Sequence, residues 1–433
     1  MLLTIFESDQ GDCLLLQGKS KHVVLCDGGM RRSMSDVVRT ELANLGRPID
    51  LVYVSHVDND HISGVLQLLE DVAQWRAFDH LTKKGENVKK PKFPRPPEIK
   101  GILHNAFRDV VSANNKALTN VLVNSAPALY ATGIPELVSA ADDMLNIALG
   151  IPEAIKVSRL CKDDALDIPI NKPPGVAKAS KLLFAGRPGD QFTLGSMKFT
   201  LIGPTEDELK ALRTGWNNWL KANPDDVKAI RAKLKAQIDA FSNGTFSGSP
   251  FDLRDWNGVP DHKGVSAPNV ASLMFLVEED GKTLLLTGDG QQDFILQGLR
   301  RTGHLNGTGL HLDVLKVQHH GSENNLDKEF AKQVSADHYV FCGNGSHGNP
   351  EKSVIEDIFN SRLGAVSLRT LAPKAKDRDF HFWFSTTSAS GDESLERTKI
   401  FKLREELVDK LEKSAKGRLK LHFNQGPSVD LTV

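Results

Sequence analysis

The chain opens with short apolar runs separated by polar turns: "LLTIFES", "CLLLQG" and "HVVLCDGG", with "DQGD" and "KSK" between them. Runs of leucine and β-branched residues bounded by Gly and Asp predict a β-meander. "IDLVYVSH" predicts a further buried strand, and "GVLQLLEDVAQW" then takes up the apolar spacing of a helix. Between them, residues 55–64 read "SHVDNDHISG". A strand that ends in a polar loop and opens a helix is a frequent seat of chemistry in layered α/β proteins.

Residues 83–100, "KKGENVKKPKFPRPPEIK", change character, becoming basic and proline-rich. They predict an exposed connector, with an arm reaching phosphates near a functional site as the alternative. Residues about 106–180 read as largely helical, and strands are expected again at "KLLFA" and "QFTLGSMKFTLIGP". A charged helical block at about 206–241 and a Gly/Ser/Asp-rich loop follow. Next comes "ASLMFLVEEDGKTLLLTGDG", whose "EEDGK" predicts a hairpin turn, and then "LDVLKVQHHGS". The tail from about 396 predicts an amphipathic helix and a strand at "RLKLHF". This order favours two packed sheets flanked by helices over a parallel doubly wound sheet. The expected organisation is a core over 1–395, interrupted by largely helical insertions at about 76–183 and 205–267, followed by a C-terminal helix and strand over 396–433.

With 433 residues, the chain has room for two average domains or one core with large insertions. Lys and Arg number 54 against 55 Asp and Glu, which excludes a protein that coats nucleic acid by bulk charge and leaves a local basic groove open. Cys13, Cys26, Cys161 and Cys342 form no CxxC pair and read as reduced, buried thiols. The opening residues lack signal-peptide character, and no run approaches the ~20 apolar residues of a membrane span. A cytoplasmic location with no membrane partner is the expectation.

Several strand-like runs end in groups that bind metals. Besides His56, Asp58, Asp60 and His61, these are Asp27 in "VVLCDGG", His104 in "GILHNAF", Asp289 in "LLLTGDG", and His319 and His320 in "VLKVQHHGS". Imidazole and carboxylate suit zinc, manganese or iron, and the absence of clustered cysteine argues against a structural Zn–S site. Two ions about 3.5–4 Å apart need a bridging carboxylate and about three further ligands each. His56, Asp58, Asp60, His61, His104, Asp289 and one of His319 and His320 form a set of that size. His319 is favoured over His320, and His262 competes with His104. His22, His80, His304, His311, His338, His381 and His422 stand apart from these motifs and read as surface or core histidines.

The ordered motifs resemble the metallo-β-lactamase-fold hydrolases. Their HxHxDH signature is matched by His56-Val57-Asp58-Asn59-Asp60-His61, with Asp58 in place of the second histidine. This HxDxDH variant is similar to the branch containing the soluble domain of the competence DNA-uptake channel. "DQGDCLLL", "LCDGG", "LLLTGDG", "LKVQHHGS" and "GSHGNPEKSV" agree with it. The likeness spans about 1–75, 184–204 and 268–365.

The resemblance implies an α+β fold, a four-layer αββα sandwich, with two divalent ions, zinc or manganese. His56, Asp58 and His104 would hold one ion, Asp60, His61 and a histidine of the 319/320 pair the other, and Asp289 would bridge them. Asp27 would orient a ligand histidine, and His320 or His347 would face the substrate. The implied activity is hydrolysis of phosphodiesters in nucleic acid or a nucleotide by a metal-activated hydroxide beside Asp60 and Asp289. Two alternatives stand beside it: a lactone, ester or thioester hydrolase, and a metal-containing module that binds a protein partner through the helical insertions.

Overall fold

The computed structural model describes residues 1–105, 156–210 and 272–433, apart from 188 and 393. The opening runs form the expected meander. β1 (Leu2–Phe6), β2 (Leu14–Gln17) and β3 (Val23–Cys26) pair antiparallel, and β4 (Leu51–Val54) and β5 (Ile102–His104) extend the sheet in parallel. A second sheet begins with three antiparallel pairings among β6 (Gln191–Leu194), β7 (Met197–Gly203), β8 (Met274–Glu279) and β9 (Lys282–Leu286). It continues in parallel through β10 (Leu310–Lys316), β11 (Val334–Phe341), β12 (Phe380–Phe384) and β13 (Leu419–Phe423). The β8–β9 turn falls at Asp280 and Gly281, both at positive φ, as the "EEDGK" motif requires. "KLLFA" forms no strand. Only Ala185 makes an isolated bridge, to Thr205, because the main-chain groups of Leu183 are taken by the Asn105 side chain.

The two sheets are mixed, and both are closed at one edge by the C-terminal segment. β13 borders the larger sheet, while β14 (Ser428–Thr432) pairs with β1 in the smaller one. The two strands within residues 396–433 are thus part of the same sheets as the rest of the chain. Alternation in the strands puts Leu3, Ile5, Leu16, Val24 and Tyr53 of one sheet against Phe275, Val277, Leu284, Val314 and Trp383 of the other, in one shared apolar cluster. A second cluster joins the other face of the smaller sheet to the helical segment 31–44 and to α1 (Asn59–Lys83). A third joins the larger sheet to α2 (Gln292–Arg301), α3 (Lys328–Gln333), α4 (Lys352–Leu363) and α5 (Glu396–Ser414).

Most of the helices expected at about 106–180 and 206–241, and the loop carrying His262, lie outside the described residues. Of the described parts, 156–160 and 206–210 are helical, while 161–180 runs in turns and bends against the sheet rather than as helix. The basic stretch is described and packs on α1. Trp75 Nε1 donates to the Pro94 carbonyl at 3.2 Å, and Arg95 pairs with Asp79 at 2.7 Å while lying 4.3 Å over the Trp75 ring. Trp75 stands about 24 Å along the helix axis from Asn59, at about 1.5 Å per residue, which sets the strap apart from the loop at the N-terminus of α1. The strap is therefore an ordered surface element far down α1 rather than an arm beside residues 56–61. Among the described residues, no helix is long and apolar enough to cross a membrane.

Candidate metal centre

Each motif lies just beyond a strand. Asp27 follows β3, Ser55 to His61 follow β4 and open α1, Asp289 follows β9, and His319 and His320 follow β10. The ends of β3 and β4 in one sheet therefore meet the ends of β9 and β10 in the other. Two glycines permit the approach. A Cβ on Gly288, which has φ +50°, would sit 2.7 Å from the Ser55 Cβ, and one on Gly11 would sit 1.8 Å from the Asp60 carbonyl oxygen. Asp27, His319 and His320 themselves adopt left-handed backbone (φ 57°, 47° and 54°), an uncommon state for residues with side chains.

The side chains converge on Asp289. Its Oδ2 lies 3.6 Å from His56 Nε2, 3.7 Å from His319 Nε2 and 3.6 Å from His320 Nε2, and its Oδ1 lies 3.4 Å from His61 Nε2. Asp58 Oδ2 stands 3.4 Å from His56 Nε2, and Asp60 Oδ2 stands 3.3 Å from His320 Nε2. Apart from the partly exposed His319, these seven residues are at most 5% exposed.

The far nitrogens of the rings are held by partners. Asp27 Oδ2 lies 3.0 Å from His61 Nδ1 while also accepting the Ser55 hydroxyl at 2.7 Å. Ser55 Oγ lies 3.0 Å from His56 Nδ1. Asn325 Oδ1 meets His319 Nδ1 at 2.7 Å, and its amide donates to the Asp289 carbonyl at 2.9 Å. Asp12 Oδ1 lies 3.1 Å from His320 Nδ1. With Nδ1 engaged, each Nε2 is left to face the carboxylates, the arrangement that fixes a ligand imidazole.

Many of the inward donors have no hydrogen-bond partner. Among the buried side-chain atoms without a hydrogen-bond partner in the described residues, His56 Nε2, Asp58 Oδ1, His61 Nε2, Asp289 Oδ1 and His320 Nε2 lie together here. A buried polar atom without a partner costs about 1–3 kcal/mol, so their concentration in one place fits a cation as the missing partner. Donor atoms of Asp12, His61, Asp289 and His320 all fall within 4.8 Å of one another, a buried group able to hold a metal ion. Oxygen and nitrogen donors without sulfur match a borderline or hard divalent ion.

Electrostatics follow from the crowding. Burial opposes a proton on His320, but Asp289 and Asp12 reverse that and raise it to about 10. His61 is likewise opposed by burial and raised well above 6.5 by Asp289 and Asp60. Burial works against ionisation of Asp60, yet His61 and His320 hold it down at about 2. Protons and metal ions therefore compete for the same imidazoles.

His319 and His320 both face Asp289, and His320 is the one that belongs to the compact four-residue group. His104 is buried at the end of β5, paired in register with Val54 of β4. Burial alone lowers it to about 4, and it forms no ion pair with Asp58, Asp60 or Asp289. His347 is exposed on the loop after β11, two residues from Asn349, whose amide donates to the His319 carbonyl at 3.4 Å. Sequence reasoning missed Asp12, Lys316, Ser55 and Asn325. Asp12 carried a signal, being an Asp beside Gly just before a strand. Lys316 carried another, a single charge inside the apolar run "VLKVQ". All four cysteines are free and buried, as expected.

No protein-family model matches the chain, and no curated protein matches it either. The functional reading therefore rests on these residues and their geometry.

Proposed function

We propose that this protein is a metal-dependent phosphodiesterase or nuclease, built on a four-layer αββα arrangement of the metallo-β-lactamase type. The observation that carries the reading is the convergence of unpartnered imidazole nitrogens from both sheets on Asp289, with the buried carboxylates of Asp58 and Asp60 against the same rings. His56, Asp58 and His319 would hold one divalent ion, with the unpartnered ring of His104 one strand away as a further donor. Asp60, His61 and His320 would hold the second, and Asp289 would face both. Zinc or manganese held there would lower the pKa of water and polarise a phosphoryl oxygen.

The chain's own residues perform the rest. Asp27, Ser55, Asn325 and Asp12 hold the imidazoles in one orientation, so little reorganisation is needed when a substrate arrives. Asp60 at the first turn of α1 stays ionised across the physiological range and can take a hydrogen bond from a nucleophilic water. The exposed His347 can give a proton to a departing oxygen. A carboxylate-rich centre favours phosphoester chemistry, in which two cations face the attacking and leaving oxygens.

The test is a substrate panel. Purified protein given Mn²⁺ or Zn²⁺ is expected to cleave DNA, RNA or bis(4-nitrophenyl) phosphate. Cleavage of lactones or thioesters, with all three phosphodiesters untouched, would move the protein to the ester class.

A further inference from the structure

Lys316 lies at the end of β10 and is only 1% exposed, the one buried lysine among the described residues. Its ammonium contacts Asp12 Oδ2, donates to the Gly288 carbonyl at 3.0 Å and stands 3.9 Å from Asp289 Oδ1. The other oxygen of Asp12 faces His320, and Gly288 immediately precedes Asp289. A single side chain thus ties the group that orients His320 to the turn that presents Asp289. The Thr287 hydroxyl reinforces the tie, since its Oγ1 donates to the Lys316 carbonyl at 2.8 Å.

Charge points the same way. Five buried carboxylates (Asp12, Asp27, Asp58, Asp60 and Asp289) surround this one fixed cation and the ligand imidazoles, which are neutral once they hold metal. Two divalent ions bring four positive charges, and the ammonium brings the fifth. Without it, Asp12 would be a buried carboxylate lacking a permanent counter-charge, and such an ion is strongly unfavourable in a protein interior.

We propose that Lys316 is a positioning residue of the metal centre: by holding Asp12 and the Gly288 carbonyl, it sets the places of His320 and Asp289 and completes the charge balance for two divalent ions. This rests on the metal-centre reading above. Lys316 touches neither substrate nor reacting atoms in this role. Its removal should therefore weaken metal binding even in a protein whose fold is intact.

The experiment measures Mn²⁺ affinity by competition with a fluorescent chelator, on protein first stripped of metal. Thermal melting is followed on the same samples. Wild type is compared with Lys316→Met and with the double variant Lys316→Met/Asp12→Asn, which removes both charges and leaves no unpaired buried ion. The expected result is that Lys316→Met, which keeps Asp12, binds Mn²⁺ about 10–100-fold more weakly than wild type, the scale typical of losing a residue that orients a ligand. The double variant is expected to melt cooperatively like wild type and to bind no more tightly than Lys316→Met. Either variant binding within about threefold of wild type would overturn the proposal and leave the metal centre standing. A double variant that fails to fold would also overturn it, because the pair would then be a folding element. Wild type that takes up no Mn²⁺ would overturn the metal-centre reading itself.

Discussion

Two groups of histidines in this molecule share a residue type and behave in opposite ways. In the centre between the sheets, His61 and His320 are packed against Asp27, Asp12, Asp60 and Asp289. On β11, β12 and β13, His338, His381 and His422 are packed against one another. His381 Nδ1 lies 2.9 Å from His422 Nε2, Trp383 Nε1 donates to His338 Nδ1 at 3.0 Å, and the Trp383 and His422 rings stack at 3.8 Å. Burial is the largest influence in both places and opposes charge in both. In the centre the carboxylates outweigh it, and His320 rises to about 10. In the ladder, burial and neighbouring imidazoles add, and His338 and His422 fall to about 4. A cluster of histidines is therefore a candidate cation site only where carboxylates share the burial.

The largest expected contrast is in metal uptake. His61→Ala and His320→Ala should each lower Mn²⁺ or Zn²⁺ affinity by about 100-fold or more, since each deletes a donor. His338→Ala and His381→Ala should leave affinity unchanged, and calorimetric titration of stripped protein reads all four. The residues that hold the ligand rings come next. Asp27→Asn and Asn325→Ala should weaken metal by about 10–100-fold through His61 and His319 respectively.

The pH dependence of metal-free stability should have opposite signs in the two regions. His320 is raised in the folded state, so its contribution is full below its unfolded value near 6.5 and is lost as pH rises through about 10. His338 and His422 are lowered, so theirs is full above about 6.5 and is lost as pH falls through about 4. Urea denaturation at pH 4.5, 6.5 and 9.5 checks this. His320→Gln should flatten the alkaline limb and His338→Gln the acid limb, and an exchange of those effects would contradict the comparison. The smallest effect is local. Trp383→Phe removes the donor that favours neutral His338, so that ring should titrate closer to 6.5 in an imidazole NMR titration while metal binding stays the same.

The strands and their polar ends were legible because period and composition act locally: the meander, the Asp-Gly hairpin and the strand–loop–helix step at residues 55–64 each carry their signal within a few residues. Residue type alone grouped the His-rich motifs with Asp289 as one candidate donor set, and only the family resemblance implied that Asp289 lies between them. What could not be read was contact between distant segments. Nothing near Asp12 in sequence says that it meets Lys316 and His320, and the left-handed turn that brings both His319 and His320 to face Asp289 follows from tertiary packing. The ladder escaped for the same reason, since His338, His381 and His422 come together only through the β11–β12–β13 register. β14 went unnoticed because "SVDLT" at an exposed edge has little apolar content, and its place is set by β1.

The central claim is that Asp289 joins two cations at a centre that cleaves phosphodiesters. The most direct test is elemental mass spectrometry of wild type and Asp289→Ala, with bis(4-nitrophenyl) phosphate turnover measured on the same samples. The account predicts about two metal ions per wild-type chain, with metal lost and turnover reduced about 100–1000-fold in the variant. Metal-free wild type after reconstitution with Mn²⁺ or Zn²⁺, or a variant that keeps both metal and turnover, would contradict it.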